Sequence, residues 1–363
     1  MPTFIIAEAG VNHNGSIDLA MRLIDAAADA GADAVKFQAF RAQQLVSAGA
    51  PKAAYQTLTT DAAESQLDML RRLELGDSDH EGLMAHARER GIEFLSTPFD
   101  LPSLAMLTKE LGLRRIKIPS GEITNAPLLL ATARAAKRVI LSTGMSTLAD
   151  VEAALGVLAF GFTQSGTPGP GETENAFASE TGQRALRDKI VLLHCTTEYP
   201  APFGEVNLRA MDTLSEVFGL PVGYSDHTIG IHIPVAAVAR GACIIEKHFT
   251  LDRSLPGPDH TASLEPSELA AMVSAIRDVE LALGDGIKSP SASEWKNRDI
   301  ARKSLVVLSA TAAGDTWTTE NLGCKRPGTG ISPMHYWQLL GQPADRAYQT
   351  DELLGPVKEV PGQ

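Results

Sequence analysis

The stretch from Pro221 to His248 reads PVGYSDHTIGIHIPVAAVARGACIIEKH and contains two short apolar runs, residues 221–225 and 243–247. Each run ends in polar or charged residues, and a longer segment with helical character separates them. Apolar runs that are nearly continuous are typical of strands buried on both faces, as in parallel sheets. This stretch therefore predicts a strand, a helix and a second parallel strand.

The same unit recurs along the chain. Between the runs lie helical patterns such as Ile17–Ala30 and Asp79–Arg90, and Gly91 is a candidate helix stop. Eight strand–helix units predict a (β/α)₈ TIM barrel over residues 1–285, and a doubly wound sheet is the alternative. Residues 161–185, rich in Gly, Pro, Ser and Thr, predict a flexible loop. The eight apolar runs are residues 4–8, 34–38, 93–96, 115–118, 139–142, 190–194, 221–225 and 243–247.

The pattern changes after Gly284. Residues 286–300 indicate a linker with a short helix, and residues 301–363 show short strands and tight turns without long helices. A domain of this size has a marginal core of its own. We therefore expect a small C-terminal domain that docks on another surface.

Composition argues against nucleic-acid-binding, secreted and membrane-spanning proteins. The chain has 363 residues with 44 acidic and 32 basic ones, so its formal charge is −12, and no long basic run is present to bind a nucleic acid. It shows neither a secretory leader pattern nor an apolar stretch of about 18 residues that could span a membrane. Its three cysteines form no CxxC pair. These features predict a cytoplasmic protein that binds no nucleic acid and no membrane.

Polar side chains lie at or just beyond the carboxyl ends of the predicted strands. In a barrel those ends meet at one mouth, where active sites are built. Buried charges cost several kcal/mol unless they are paired or used, so packing alone does not account for this pattern. The residues are Glu8, Lys36, Gln38, Ser120, Glu122, Thr143, His194, Ser225, Asp226, His227, Glu246 and His248.

Two histidines are candidate metal ligands. His227 and His248 end successive strands, and two imidazoles with oxygen ligands suit a borderline divalent ion such as Mn²⁺. Asp259 could approach the same place. The alternative is that both histidines only form hydrogen bonds in the barrel mouth.

Two lysines are candidate anion ligands. Lys36 and Lys117 lie on apolar strands and, with the hydroxyls of Ser120 and Ser225, could hold a phosphate. They could instead form salt bridges with carboxylates such as Glu8, or one could form a Schiff base as in aldolases. Each of these possibilities is open on the spacing alone.

Long motifs in this chain resemble the sialic acid synthase family, and the resemblance covers nearly its whole length. The C-terminal motif at residues 325–333 (KRPGTGISP) resembles the antifreeze-like (SAF) domain of that family. The barrel motifs are residues 6–15 (IAEAGVNHNG), 35–38 (VKFQ), 116–122 (IKIPSGE), 193–200 (LHCTTEYP), 223–228 (GYSDHT), 246–250 (EKHFT) and 256–260 (PGPDH).

The resemblance implies an enzyme that condenses phosphoenolpyruvate with an N-acetylated sugar aldehyde and water, releasing phosphate by C–O bond cleavage. The implied acceptor is N-acetylmannosamine, giving N-acetylneuraminate. The alternative acceptor is a 2,4-diacetamido-trideoxy hexose, giving N,N'-diacetyllegionaminate or pseudaminate. A Schiff-base aldolase and an ice- or polysaccharide-binding protein are rival hypotheses from other classes.

The resemblance also implies a role for each site residue. It implies Mn²⁺ or Mg²⁺ on His227 and His248, and a domain-swapped homodimer in which the antifreeze-like domain brings Arg326 to the partner's site. Phosphoenolpyruvate would be bound by Lys36, Lys117, Ser120, Thr197 and Ser225. Catalytic roles fall to Glu8, Gln38, Glu246 and Asp259, and sugar contacts to Glu8, Tyr199, Asp259 and Arg326.

Two departures from the family pattern concern substrate contacts. Thr197 stands where some members have an asparagine in the phosphate region. The loop at residues 48–56 has no clear equivalent of an asparagine that some members carry after the second strand.

Overall fold

A computed structural model describes residues 2–47, 49–52, 57, 60 and 64–355. The chain divides into two compact units, the first ending at Gly284 and the second beginning at Asp285. Much of the loop at 48–56 and the last residues, 356–363, lie outside the described residues.

The described residues of the first unit form eight parallel strands, in the order β3-β2-β1-β8-β7-β6-β5-β4. The ends of this sheet meet, because β3 and β4 lie side by side. The predicted (β/α)₈ barrel is therefore confirmed. The strands are β1 (Phe4–Gly10), β2 (Ala34–Ala39), β3 (Glu93–Pro98), β4 (Arg115–Ile118), β5 (Arg138–Ser142), β6 (Ile190–Cys195), β7 (Val222–Asp226) and β8 (Ile244–His248).

Helices surround the strands, and capping residues mark where some of these helices begin and end. Ser16 caps the first helix by accepting from the Leu19 amide, and Gly91, with a φ of 71°, follows the helix that ends at Glu89. No helix in the described residues is long and apolar enough to cross a membrane. The helices of this unit are α1 (Ile17–Asp29), α2 (Ala42–Leu45), α3 (Gln66–Leu73), α4 (Asp77–Glu89), α5 (Leu101–Ala105), α6 (Ala126–Ala135), α7 (Leu148–Thr163), α8 (Glu172–Ala178), α9 (Glu180–Lys189), α10 (Ala210–Phe218), α11 (His232–Ala239) and α12 (Pro266–Leu283).

The barrel interior is built in layers with the two-residue period of a strand. Buried apolar side chains form an inner cluster, and polar side chains occupy the next inward positions, two residues further along. Ile6 is followed in this way by Glu8, and Ile244 by Glu246. The strands thereby place charged groups directly above an apolar floor. The members of the inner apolar cluster are Ile6, Ala34, Leu95, Ile140, Leu193 and Ile244.

The prediction of a flexible loop at residues 161–185 is wrong. Helix α7 continues to Thr163, only about 164–171 is irregular, and α8 and α9 follow. Ser179 caps α9 by accepting from the Gly182 amide at 3.0 Å. The Gly, Pro, Ser and Thr content indicated a loop because these residues favour turns, but here the serine starts a helix.

The second unit has its own small core. It begins with α13 (Ala292–Ala301) and contains an antiparallel pair, β9 (Ser304–Val307) and β10 (Leu322–Lys325), followed by the short helix α14 (Tyr336–Leu339). Its buried apolar side chains are Leu305, Val307, Trp317, Leu322, Ala344, Tyr348 and Leu354.

Candidate active site

One cavity of about 460 Å³ opens at the carboxyl ends of the barrel strands. The twelve barrel residues to which the family resemblance assigned a role all line this cavity, although they come from seven separate segments. A mouth of this kind is where barrel enzymes place their chemistry. The twelve are Glu8, Lys36, Gln38, Lys117, Ser120, Thr197, Tyr199, Ser225, His227, Glu246, His248 and Asp259.

The two lysines are paired with carboxylates in the cavity floor. Lys36 Nζ lies 2.5 Å from Glu8 Oε2 and 3.6 Å from Glu246 Oε2, and Lys117 Nζ lies 3.1 Å from Glu246 Oε1. The Ser225 hydroxyl donates to Glu246 Oε1 at 3.0 Å. All four charged side chains are buried. The salt-bridge alternative is therefore part of the structure, and an incoming anion would meet two lysines already held in place.

The two carboxylates differ in basicity. Burial raises the pKa of Glu8 to about 7, against the opposing charge of Lys36. Burial acts on Glu246 in the same direction, but the charges of Lys117 and Lys36 outweigh it and lower the pKa of Glu246 to about 2. Glu246 is thus a fixed negative charge, whereas Glu8 can exchange a proton near neutral pH.

A cluster of hydroxyl and thiol groups forms a second wall. Ser120 Oγ accepts from the Gly144 amide at 2.9 Å, and Cys195 Sγ lies 3.6 Å from Ser120 Oγ and 4.0 Å from Thr197 Oγ1. We did not nominate Cys195 from the sequence. The available signal was its place on β6, two residues after the inward-facing Leu193.

The two histidines lie side by side at the ends of the neighbouring strands β7 and β8, with Tyr199 beside them. The ring centroids of His227 and His248 are 5.5 Å apart, and the Tyr199 ring lies 4.1 Å from that of His227. Burial, reinforced by the positive charges of His227 and Lys36, holds the pKa of His248 well below its usual value, so this imidazole is neutral. Neutral imidazole is the form that binds a metal.

The geometry of both rings fits a divalent metal ion. His227 Nδ1 lies 2.6 Å from the Thr196 carbonyl, so this nitrogen carries the proton and leaves the lone pair on Nε2. The buried His248 Nδ1 has no hydrogen-bond partner within the described part of the chain. The described residues contain no group of three or more His, Cys, Asp or Glu side chains that could hold a metal. Any ion on this histidine pair would take its other ligands from oxygen atoms of water or substrate.

Asp259 adds a buried carboxyl group above the histidines. Its Oδ2 lies 3.8 Å from His248 Nδ1. Burial raises the pKa of Asp259 to about 6, against the positive charges of His227 and Lys36. Like Glu8, it is suited to accept or donate a proton near neutral pH.

Two residues at predicted strand ends, His194 and Asp226, take no part in these contacts. His194 Nε2 bonds to the Val206 carbonyl at 2.6 Å, and Asp226 forms a buried ion pair with Lys247 at 2.5 Å, so both serve the structure of the barrel. Arg326 belongs to the second unit, where it is exposed and its Nε donates to the Ala301 carbonyl.

An apolar wall on one side of the cavity was missed by the sequence analysis. Its residues come from the end of β1, from α2, from α3 and from the end of β3, so no local motif joins them. We call them the apolar wall. They are Val11, Leu45, Val46, Met69, Leu70, Leu73 and Phe99.

The NeuB family model matches residues 23–288. The chain belongs to the NeuB family. It is 53% identical to the N,N'-diacetyllegionaminic acid synthase of Campylobacter jejuni over 97% of this chain and 98% of that protein. It is 46% identical to the synthase of the same name from Legionella pneumophila, over 94% and 90%.

A solved structure agrees with the family assignment. The N-acetylneuraminic acid synthetase from Leptospira borgpetersenii superposes with a TM-score of 0.67 at 37% identity, covering 82% of this chain and 90% of that one. The predicted family and the prediction that this NeuB-family chain is an enzyme are confirmed. The relatives favour the legionaminate alternative over the N-acetylneuraminate reading.

Proposed function

We propose that this enzyme condenses phosphoenolpyruvate with a 2,4-diacetamido-2,4,6-trideoxy hexose to give N,N'-diacetyllegionaminate and phosphate. The observation that carries this choice of acceptor is the apolar wall. The two legionaminic acid synthases among its relatives support it. N-acetylmannosamine is the second candidate acceptor, because the neuraminic acid synthetase shares the fold at lower identity.

The apolar wall suits a sugar with a methyl group. The 6-deoxy acceptor ends in a methyl group where N-acetylmannosamine has a hydroxymethyl group, so only N-acetylmannosamine carries a hydroxyl there. Met69 and Leu73 are buried and Phe99 lines the same side of the cavity, so a hydroxyl placed against them would lose its hydrogen bonds to water. An unpaired buried hydroxyl costs about 1–3 kcal/mol, which corresponds to roughly a tenfold to hundredfold preference for the methyl.

Phosphoenolpyruvate would occupy the lysine side of the cavity. Lys36 and Lys117 supply positive charge, and Ser120, Thr197 and Ser225 supply hydroxyl donors. The anion would share the lysines with Glu8 and Glu246, and Glu8 can take up a proton to relieve the added negative charge. This arrangement orients C3 of phosphoenolpyruvate toward the sugar aldehyde.

The reaction joins the two substrates while both are bound in the cavity. C3 of phosphoenolpyruvate forms a bond to the aldehyde carbon, whose oxygen takes a proton. Water adds to C2 and loses one proton. The C2–O bond to phosphate then breaks, the remaining hydroxyl proton passes to the leaving phosphate, and C2 becomes a keto group. A divalent ion on His227 and His248 would supply Lewis acidity at the aldehyde oxygen. Glu8 and Asp259, with pKa values near neutrality, would exchange the protons.

Phosphate release tests this proposal. The enzyme is mixed with phosphoenolpyruvate and Mn²⁺, and each candidate sugar is supplied in a separate reaction. Release with the diacetamido sugar at a kcat/KM at least about tenfold above N-acetylmannosamine is expected. The reverse preference would overturn the choice of acceptor. Covalent trapping of pyruvate by borohydride without phosphate release would replace the mechanism with a Schiff-base aldolase.

We also propose that the second unit is the antifreeze-like domain of a homodimer and that it brings Arg326 to the partner's sugar. The family resemblance of residues 325–333 and the small core of this unit support this arrangement.

A further inference from the structure

A second groove, of about 680 Å³, lies at the amino-terminal end of the barrel. It is formed where β3, β4 and β5 begin, so it lies at the end of the barrel opposite the active site. We call it the basic groove. Its charged lining residues are Arg88, Arg114, Arg115, Lys137, Arg138 and Glu93.

Most of the cations in the basic groove have no acidic partner among the described residues. Arg115 Nε lies 3.6 Å from Glu93 Oε1, and its guanidinium stacks on the Phe4 ring at 4.3 Å. The other four, Arg88, Arg114, Lys137 and Arg138, form no ion pair with any carboxylate in the described ranges of the chain. They are concentrated on one surface of a chain whose formal charge is −12. Surface cations usually alternate with acids, so this concentration favours a negatively charged ligand.

The floor of the basic groove is apolar. Buried Ile92 and Phe94 contribute to it, together with the partly buried Leu113. Because Ile92 and Phe94 are almost fully covered, a bound ring would contact the partly exposed Met84, Leu111 and Leu113 of the same lining. A cationic rim over an apolar floor combines anion binding with a surface for a flat ring.

We propose that the basic groove is a second ligand site that binds a nucleoside diphosphate or a molecule that carries one. The diphosphate contacts Arg114 and Arg138, whose backbones are joined by the hydrogen bond from the Arg138 amide to the Arg114 carbonyl at 3.0 Å. The base packs on the apolar floor. The volume lies in the range of small-molecule sites, and the guanidinium groups match phosphate oxygens in geometry. This site is independent of the condensation reaction.

Equilibrium binding by calorimetry tests the proposal on the full chain. The probes are uridine 5′-diphosphate and inorganic pyrophosphate. The test variant is Arg114→Ala/Arg138→Ala, and the matched control is Arg184→Ala/Arg187→Ala, which removes the same charge from exposed positions on α9. Lys117→Ala serves as a second control because it alters the active-site cavity and leaves the groove intact.

The test variant is expected to bind uridine 5′-diphosphate at least about tenfold more weakly, while both controls bind it like the unaltered chain. Tighter binding of uridine 5′-diphosphate than of pyrophosphate supports the contact between base and floor, and equal affinities would overturn the nucleotide assignment. No binding to the unaltered chain, or an equal loss in the α9 control, would overturn the site itself. Arg114→Gln/Arg138→Gln provides the same test if the alanine variant folds poorly.

Discussion

At the scale of single residues, close approaches in the cavity restrict which side chains are tolerated. Gly144 is the clearest case, since its amide donates to Ser120 Oγ and its Cα faces two hydroxyl groups. A Cβ atom there would overlap Thr197 Oγ1 and would lie 2.7 Å from Ser120 Oγ. A side chain at this position therefore displaces two groups that we assign to phosphoenolpyruvate.

We predict that Gly144→Ala raises the KM for phosphoenolpyruvate by about thirtyfold, because both hydroxyls must move and each is worth about 1 kcal/mol as a hydrogen-bond donor. Steady-state kinetics with varied phosphoenolpyruvate measures the change. Gly82→Ala is the control, since a Cβ there meets nothing within 4 Å. An unchanged KM in Gly144→Ala would argue against the assignment of this wall to phosphoenolpyruvate.

We predict that His248→Ala weakens Mn²⁺ binding by at least about tenfold, because it removes one of two imidazole ligands. Calorimetric titration of the protein with Mn²⁺, without substrates, measures this directly. His232→Ala, an exposed histidine on α11, is the control and should bind the ion like the unaltered chain. Equal affinity of all three proteins for Mn²⁺ would exclude this histidine pair as the metal site.

At the scale of elements, the strands were predictable and one connection was not. Apolar runs with polar ends identify the eight strands because buried parallel strands need both features. Between β5 and β6, the amino-acid composition predicted a loop. Composition does not distinguish residues that form a turn from residues that cap a helix. Ser179 is an example. Its hydroxyl donates to the Ala176 carbonyl at the end of α8 and accepts from the Gly182 amide at the start of α9.

We predict that Ser179→Ala lowers the free energy of unfolding by about 1 kcal/mol, because the Gly182 amide loses its capping acceptor. Urea unfolding followed by circular dichroism measures the loss. Ser165→Ala, at an exposed position in the irregular segment, should change stability by less than about 0.5 kcal/mol. Equal stability of the two variants would contradict the capping role of Ser179.

At the scale of the whole molecule, the proposed dimer makes a specific prediction about mixed subunits. If Arg326 acts in the partner's barrel, an Arg326→Ala chain and a Lys117→Ala chain are each impaired alone. Their mixed dimer contains one site with an intact barrel and an intact arginine. Co-expression of the two variants is expected to restore about a quarter of the wild-type activity at low sugar concentration.

The complementation is measured as phosphate release from the purified mixed protein, with each variant assayed alone as the control. Activity no greater than the average of the two separate variants would show that Arg326 does not act in trans. A monomer in solution would lead to the same conclusion.

The sequence by itself determined the barrel and the residues of its mouth. Strand burial sets the two-residue period, and the carboxyl ends of parallel strands must meet, so Lys36, Lys117, His227 and His248 could be placed together from local patterns alone.

Only the tertiary structure decided which of these groups touch and what surrounds them. The pairing of Lys117 with Glu246 joins β4 and β8, which are not neighbours in the sheet. The apolar wall joins segments as far apart as Val11 and Phe99, and the basic groove joins the beginnings of three strands. Such contacts depend on distances across the folded barrel, and local spacing along the chain carries no record of those distances.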